Sequence, residues 1–318
     1  MRAILVVLAL IASAPAFSQY PSKPIRLVVG FAPGGAADAV SRAIGEPLGR
    51  LLGQSIVIDN RPGNGSSLAA ELVAKAPADG YTMLIASPSS QSVNPVINKN
   101  LGYVPERDFA PVTKVTSSPL VVAVHPSLPV NSIPELIAYA KKIPGKLNYG
   151  SSGNGSAPHL GAVLFSRIAG VEMVHVPYKG GGPAVQALLA GDIQLSFATP
   201  PSVLPLVQAG RLRGLAVTTR HASPSVPGLP GMEETGLPGY DLTFWYGFFV
   251  PAGTPPDAIR KLFTATTQVL QRPDLKQLLA KEGTDVAGSK SPEEFAAFLR
   301  EDAKLWQQLV KETGAKVD

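Results

Sequence analysis

Two glycine-rich turns, each leading from a short apolar strand straight into a helix, most constrain what this chain can fold into. The first is Val28-Val29-Gly30-Phe31-Ala32-Pro33-Gly34-Gly35-Ala36-Ala37-Asp38, and the second is Leu147-Asn148-Tyr149-Gly150-Ser151-Ser152-Gly153-Asn154-Gly155-Ser156. Such a turn needs a strand whose end faces a helix start, the building unit of an α/β sheet. It also leaves backbone N–H groups unpaired at the positive end of a helix dipole, where an anion is stabilised. One turn of this kind is routine chain reversal. Two, far apart in sequence, suggest a small carboxylate gripped between two lobes.

The flanking pattern predicts strands at 25–29, 56–59 and 81–86, with helices over 36–52 and from Ser66, as N-cap, to about Lys75. Short apolar strands joined by helices predict a parallel sheet covered on both faces. A strand at 120–124 and a helix opened by Asn131-Ser132-Ile133-Pro134-Glu135 follow. A second series then gives strands at 147–149, 173–176, 195–198 and 212–218, with helices over 158–169 and 183–190. The Pro- and Gly-dense stretch 223–239 reads as an irregular connection. Strand character returns at 243–250, and helices over 256–271, 273–282 and 291–311 close the chain. The last carries Phe295, Phe298, Leu299, Asp302, Leu305, Trp306 and Leu309 at helical spacing, which reads as a packing face. Crossings near Val121 and Asp241 would make a hinge between lobes.

Residues 1–18 read as a cleavable export leader: Met1-Arg2, an apolar run from Ala3 to Ala12, then Ala16 and Ser18 in the small-x-small pattern. Cleavage is expected near Ser18/Gln19, placing the mature chain in the periplasm. The sequence has no cysteine, which excludes both a lipid-modified cysteine and disulfides. Without Arg2, 27 of the 28 Lys and Arg remain against 23 Asp and Glu, a mild net charge of +4. The cations are scattered, so no nucleic-acid or anionic-membrane patch is expected.

In an open α/β sheet, ligands sit beyond the carboxyl ends of strands where the strand order reverses. That rule selects Phe31, Ala32, Gly34, Gly35, Ala36, Ala37 and Asp38, with Ser87, Ser89, Ser90 and Gln91, as candidate ligand-binding residues of the first lobe. In the second lobe it selects Gly150, Ser151, Ser152, Gly153, Asn154, Gly155, Ser156, Tyr178, Lys179 and Thr199. The glycines admit close backbone approach and the hydroxyls donate or accept. Asp38, a poor carboxylate ligand, reads as a cap on backbone N–H groups or a partner for a ligand ammonium. Tyr246 and His159 complete the candidate set.

Enzyme signatures fail. Gly65-Ser66-Ser67-Leu68-Ala69 ends in Ala where a nucleophile elbow has Gly. Gly153-Asn154-Gly155-Ser156-Ala157-Pro158 lacks the last glycine of a dinucleotide fingerprint. His125, His159, His175 and His221 lack metal-site spacing. The alternatives to a binding protein are a secreted hydrolase using Ser152 or Ser156 with His159, and a receptor feeding a sensor kinase.

The string Tyr20-Pro21-Ser22-Lys23-Pro24-Ile25-Arg26-Leu27-Val28-Val29-Gly30-Phe31-Ala32-Pro33-Gly34-Gly35-Ala36-Ala37-Asp38 resembles the mature N-terminus of the Bug family. These are extracytoplasmic solute receptors of tripartite tricarboxylate transport systems. Further matches are Asn60-Arg61-Pro62-Gly63, Ala78-Asp79-Gly80-Tyr81-Thr82, Asn148-Tyr149-Gly150-Ser151-Ser152-Gly153, Val176-Pro177-Tyr178-Lys179-Gly180, Gly191-Asp192-Ile193-Gln194 and Val250-Pro251-Ala252-Gly253-Thr254-Pro255. The resemblance implies an α/β, two-lobed periplasmic-binding-protein fold of type II, a Venus flytrap with two crossover strands. Lobe 1 would comprise 19–121 plus 243–318, and lobe 2 would comprise 122–242. It implies a small organic acid held by backbone amides and hydroxyls, no cofactor, a monomer, and delivery to the permease subunits of a tripartite tricarboxylate transporter. Ser87-Pro88-Ser89-Ser90-Gln91 departs from the glycine- and threonine-containing loop expected there and marks a segment that tunes selectivity.

Overall fold

The computed structural model describes residues 20–98 and 100–313. The expected export leader lies outside them. Two sheets flanked by helices carry the fold. Strands β1 (Ile25–Val29), β2 (Ile56–Asn60), β3 (Thr82–Ala86) and β4 (Phe109–Pro119) belong to the first sheet. Strands β5 (Val121–Val124), β6 (Asn148–Ser151), β7 (Val174–Pro177), β8 (Leu195–Ala198) and β9 (Arg213–Val217) form the second. The chain then returns through β10 (Thr243–Pro251) and β11 (Asp285–Val286) to the first. The spatial orders are β11-β4-β10-β3-β1-β2 and β7-β6-β8-β5-β9.

Strands β1, β2 and β3 pair parallel, whereas β10 runs antiparallel to both β3 and β4. The first sheet is therefore mixed, not parallel as expected. The reason is connectivity: β4 and β10 are the segments by which the chain leaves and re-enters this sheet, so they run in opposite directions. Thr243 sits opposite Pro119 in that ladder, which sets the two crossings side by side.

Both faces of each sheet are buried. Leu27 and Val29 pack into one cluster while Val28 packs into another, and Val122 and Val124 separate from Val121 and Ala123 in the same way. Successive side chains of a strand point to opposite faces. Continuous apolar strands are the sequence record of this double burial. Each such fully buried aliphatic side chain contributes about 1.5–3 kcal/mol relative to exposure.

Ser66 does not cap the helix Ser67–Ala74 through its side chain. It adopts φ 77°, and its buried hydroxyl has no partner. The helix Pro200–Gln208 fills a segment, between the strands expected at 195–198 and 212–218, for which no element was expected. Among the described residues no helix is long and apolar enough to cross a membrane.

Candidate functional site

Four helices start at one small cavity of about 10 Å³ between the sheets. Gly35, Ala36 and Ala37 bring the start of the helix Ala36–Leu52 to it, and Ser156, Ala157 and Pro158 the start of Ala157–Ala169. Gly181 opens the helix Gly181–Ala190, and Thr199 is the N-cap of Pro200–Gln208. Ser89, from a π-helical turn Ser89–Val93, and Ser152 add hydroxyls. Phe31, Phe244 and Tyr246 supply aromatic walls.

The chemistry follows from what these residues are. Helix N-termini present first-turn amides and a partial positive charge. No side-chain cap consumes donors at any of the four starts, but Pro200 and Pro201 carry no N–H and the Ser202 N–H bonds the Thr199 carbonyl, so the fourth helix brings its dipole and the Thr199 hydroxyl and no first-turn amide. The hydroxyls of Ser89 and Ser156 are buried without a hydrogen-bond partner. Among the described residues no Lys, Arg or His lines the cavity. The arrangement offers an anion neutral, pre-oriented donors, with an apolar wall for a carbon skeleton.

Asp38 serves the loop rather than the cavity. Its carboxylate accepts the Gly34 N–H at 3.1 Å and pairs with Arg42 at 2.9 Å. Burial pushes its carboxyl up, but hydrogen bonds from Arg42, Gly34 and Asn60 outweigh that and hold it below the ordinary carboxylate range. Asn60 also donates to the Phe31 carbonyl at 3.0 Å, so β2 fixes the turn that shapes the cavity wall. Gly34 has φ 81°, a left-handed conformation that suits glycine.

The two lobes touch beside the cavity. The Ala32 N–H donates to the Lys179 carbonyl at 2.9 Å, and a Cβ on Gly180 would lie 2.9 Å from Ala32 N. Lys179 meets the first lobe with its backbone while the residue as a whole is exposed. Tyr178 is half-buried beside Gly150 and does not line the cavity.

His159 lies against His175, ring centroids 4.1 Å apart, and His175 stacks in turn on Tyr149 at 5.0 Å. Nδ1 of His159 accepts the Gly155 N–H at 3.2 Å. The Ser156 hydroxyl makes no hydrogen bond, so it has no general base within reach. A Ser–His contact does exist, between Ser151 Oγ and His175 Nε2 at 2.6 Å. Ser151 is fully buried, bonded also to Gly153, and absent from the cavity lining. That geometry holds a loop and presents no nucleophile.

Of the residues singled out in the sequence, Phe31, Gly35, Ala36, Ala37, Ser89, Ser152, Ser156, Thr199 and Tyr246 line the cavity. Ala32, Gly34 and Asp38 build the turn behind it. Ser87 and Ser90 are fully buried outside the lining, and Gln91 faces a separate pocket with Phe109, Phe249 and Leu299. Gly153, Asn154 and Gly155 meet the first lobe at Gly65 and Asn94. The candidate set lacked Ala157, Pro158, Gly181 and Phe244. The period of two in Phe244-Trp245-Tyr246 carried the signal for Phe244, which shares a face with Tyr246 and meets it edge-on at 4.7 Å.

The profile of the "Tripartite tricarboxylate transporter family receptor" matches residues 40–315. The chain is 34% identical to Protein BugT of Bordetella pertussis over 99% of its own length and 96% of that protein. Among solved structures it is similar to R. palustris Rpa4515 with adipate, at 37% identity and TM-score 0.90, covering 93% of this chain and 99% of that one. It is also similar to MatC from Rhodopseudomonas palustris with bound malate, at 30% identity and TM-score 0.87, covering 92% and 100%. With this match over most of its length, the chain belongs to the tripartite tricarboxylate transporter receptor family, whose members are solute-binding proteins and not enzymes.

Proposed function

We propose that this protein captures a small carboxylate in the cavity between its lobes and hands it to the permease subunits of a tripartite tricarboxylate transporter. The carrying observation is the convergence of four helix N-termini on one small cavity with partnerless buried hydroxyls and, among the described residues, no cationic side chain. The carboxylate takes the amides and hydroxyls, and the carbon skeleton rests on Phe31, Phe244 and Tyr246. Adipate and malate in the related structures support this class of ligand. The lobes are assigned to 19–121 plus 243–318 and to 122–242, and residues 1–18 act as the export signal that delivers the chain to the periplasm.

A thermal-shift screen of mono-, di- and tricarboxylates tests the reading, with each acid's neutral amide as control. A ligand at 100 times its dissociation constant adds about 2.7 kcal/mol of stability, a readily measured rise in melting temperature. Stabilisation by acids and not by their amides is the expected result. If no acid raises the melting temperature, or if amides do so equally, the proposal fails.

A further inference from the structure

The turn Asn64–Ser66 holds three successive residues in the left-handed region, at φ 46°, 56° and 77°. Among the described residues Asn64 and Ser66 are the only non-glycine residues with positive φ. That conformation is unfavourable for an L-residue and persists where surrounding contacts enforce it. Asn94 supplies the enforcement. Its side-chain Nδ2 donates to the Asn64 carbonyl at 2.9 Å, the Gly65 carbonyl at 3.2 Å and the Ser67 hydroxyl at 2.6 Å. Asn94 is 3% exposed, so these bonds are shielded from water.

What the turn presents to the other lobe is bare backbone. A Cβ on Gly65 would lie 2.4 Å from the Asn154 carbonyl oxygen, and a Cβ on Gly155 would lie 2.1 Å from Asn94 Oδ1. Glycine on each lobe thus permits an approach that any side chain would block. None of Asn64, Gly65, Asn94, Asn154 or Gly155 lines the ligand cavity.

We infer that Asn94 is a positioning residue: it holds the Asn64–Ser66 turn as a clasp that seats on Gly153–Gly155 when the lobes meet, and so sets how long a captured solute stays. The inference rests on the solute-receptor reading for its purpose. Its physical content is separate. Contacts that exist only with the lobes together stabilise that state by their full differential energy, whatever fills the cavity.

Because the sequence holds no cysteine, Lys75→Cys and Lys141→Cys, at exposed positions of the two lobes, give a clean spin-label pair. Inter-lobe distances are measured with and without adipate, in the parent and in the Asn94→Ala and Gly155→Ala variants. The second acts from the opposite lobe, where its Cβ would meet Asn94 Oδ1 only with the lobes together. Both variants are expected to lose short-distance population by about tenfold relative to the long-distance state, with unchanged far-ultraviolet dichroism. Folded variants that keep the parent's distribution overturn the inference, as does a parent with no short-distance component. If Asn94→Ala fails to fold, Gly155→Ala decides alone. Failure of the solute-receptor reading has its own mark: no carboxylate raises the melting temperature, although the distances still respond to Asn94→Ala.

Discussion

Leu120 and Thr218 are joined twice. The Leu120 N–H donates to the Thr218 hydroxyl at 2.7 Å, and the Thr218 N–H donates to the Leu120 carbonyl at 2.9 Å. Thr218 also makes two bonds to Leu242, its hydroxyl donating to that carbonyl at 2.8 Å and its carbonyl accepting that N–H at 2.8 Å. Leu120 lies on the outgoing crossing between sheets and Leu242 on the returning one. A single fully buried side chain therefore ties both crossings together.

Thr218→Val keeps the shape and removes the hydroxyl, leaving a buried amide and a buried carbonyl short of a partner. Each such loss costs about 1–3 kcal/mol. The variant should unfold at lower urea, and the Leu120 amide should exchange hydrogen faster than in the parent. Equal midpoints and equal exchange would show that the hydroxyl does not couple the crossings.

The partnerless hydroxyls of Ser89 and Ser156 predict a trade between stability and binding. Replacing either by Ala removes a buried group that has nothing to bond in the free protein, so the unliganded melting temperature should hold or rise. Affinity for a carboxylate should fall about tenfold or more, since a hydrogen bond to a charged group contributes about 1.5–3 kcal/mol. Calorimetry on the parent and both variants measures it. Unchanged affinity would remove these hydroxyls from the binding site.

The fold was legible wherever one local signal decided it. Apolar runs bounded by glycine or proline located β1, β3, β5 and β8, and Ser132 with Glu135 marked a helix start that the structure caps through the Ser132 hydroxyl. The long strand β4 was not legible, because Phe109-Ala110-Pro111-Val112-Thr113-Lys114 mixes proline and charge, and its place depends on pairing with the distant β10. In the candidate site the helix-start residues were legible from glycine turns at strand ends. The roles of Gly155 and Asn154 were not, since nothing local distinguishes a glycine that meets ligand from one that meets another lobe. Ser66 failed for a related reason: its capping chemistry was right for the residue type, but Asn94, far along the chain, holds its backbone in the left-handed region.

His175 predicts an acid sensitivity. Burial between the rings of His159 and Tyr149 pulls its pKa from 6.5 down to about 4. The folded-state value is depressed, so its contribution to stability is complete above the unfolded pKa of 6.5. It is lost as pH falls toward 4, where the unfolded chain binds a proton that the folded one refuses. Urea midpoints across that window should fall more steeply for the parent than for His175→Gln. Parallel profiles would mean that His175 titrates normally.

Asp302 predicts the opposite slope. Burial in the last helix raises its pKa from 3.8 to about 6, against the counter-pull of Trp306, Ser92 and Lys114. The Trp306 Nε1–H reaches it at 3.2 Å and the Ser92 hydroxyl at 3.4 Å. A raised folded-state pKa contributes stability that is complete below 3.8 and lost as pH rises through about 6, because the folded protein must then hold a buried carboxylate. Asp302→Asn keeps an oxygen for the Trp306 donor and removes the ionisation. Relative to the parent it should be stabilised above pH 6 by on the order of 1–3 kcal/mol, with the difference shrinking toward pH 4. Unfolding free energies of the two proteins across this range decide it, and a constant difference would assign Asp302 an ordinary carboxylate pKa.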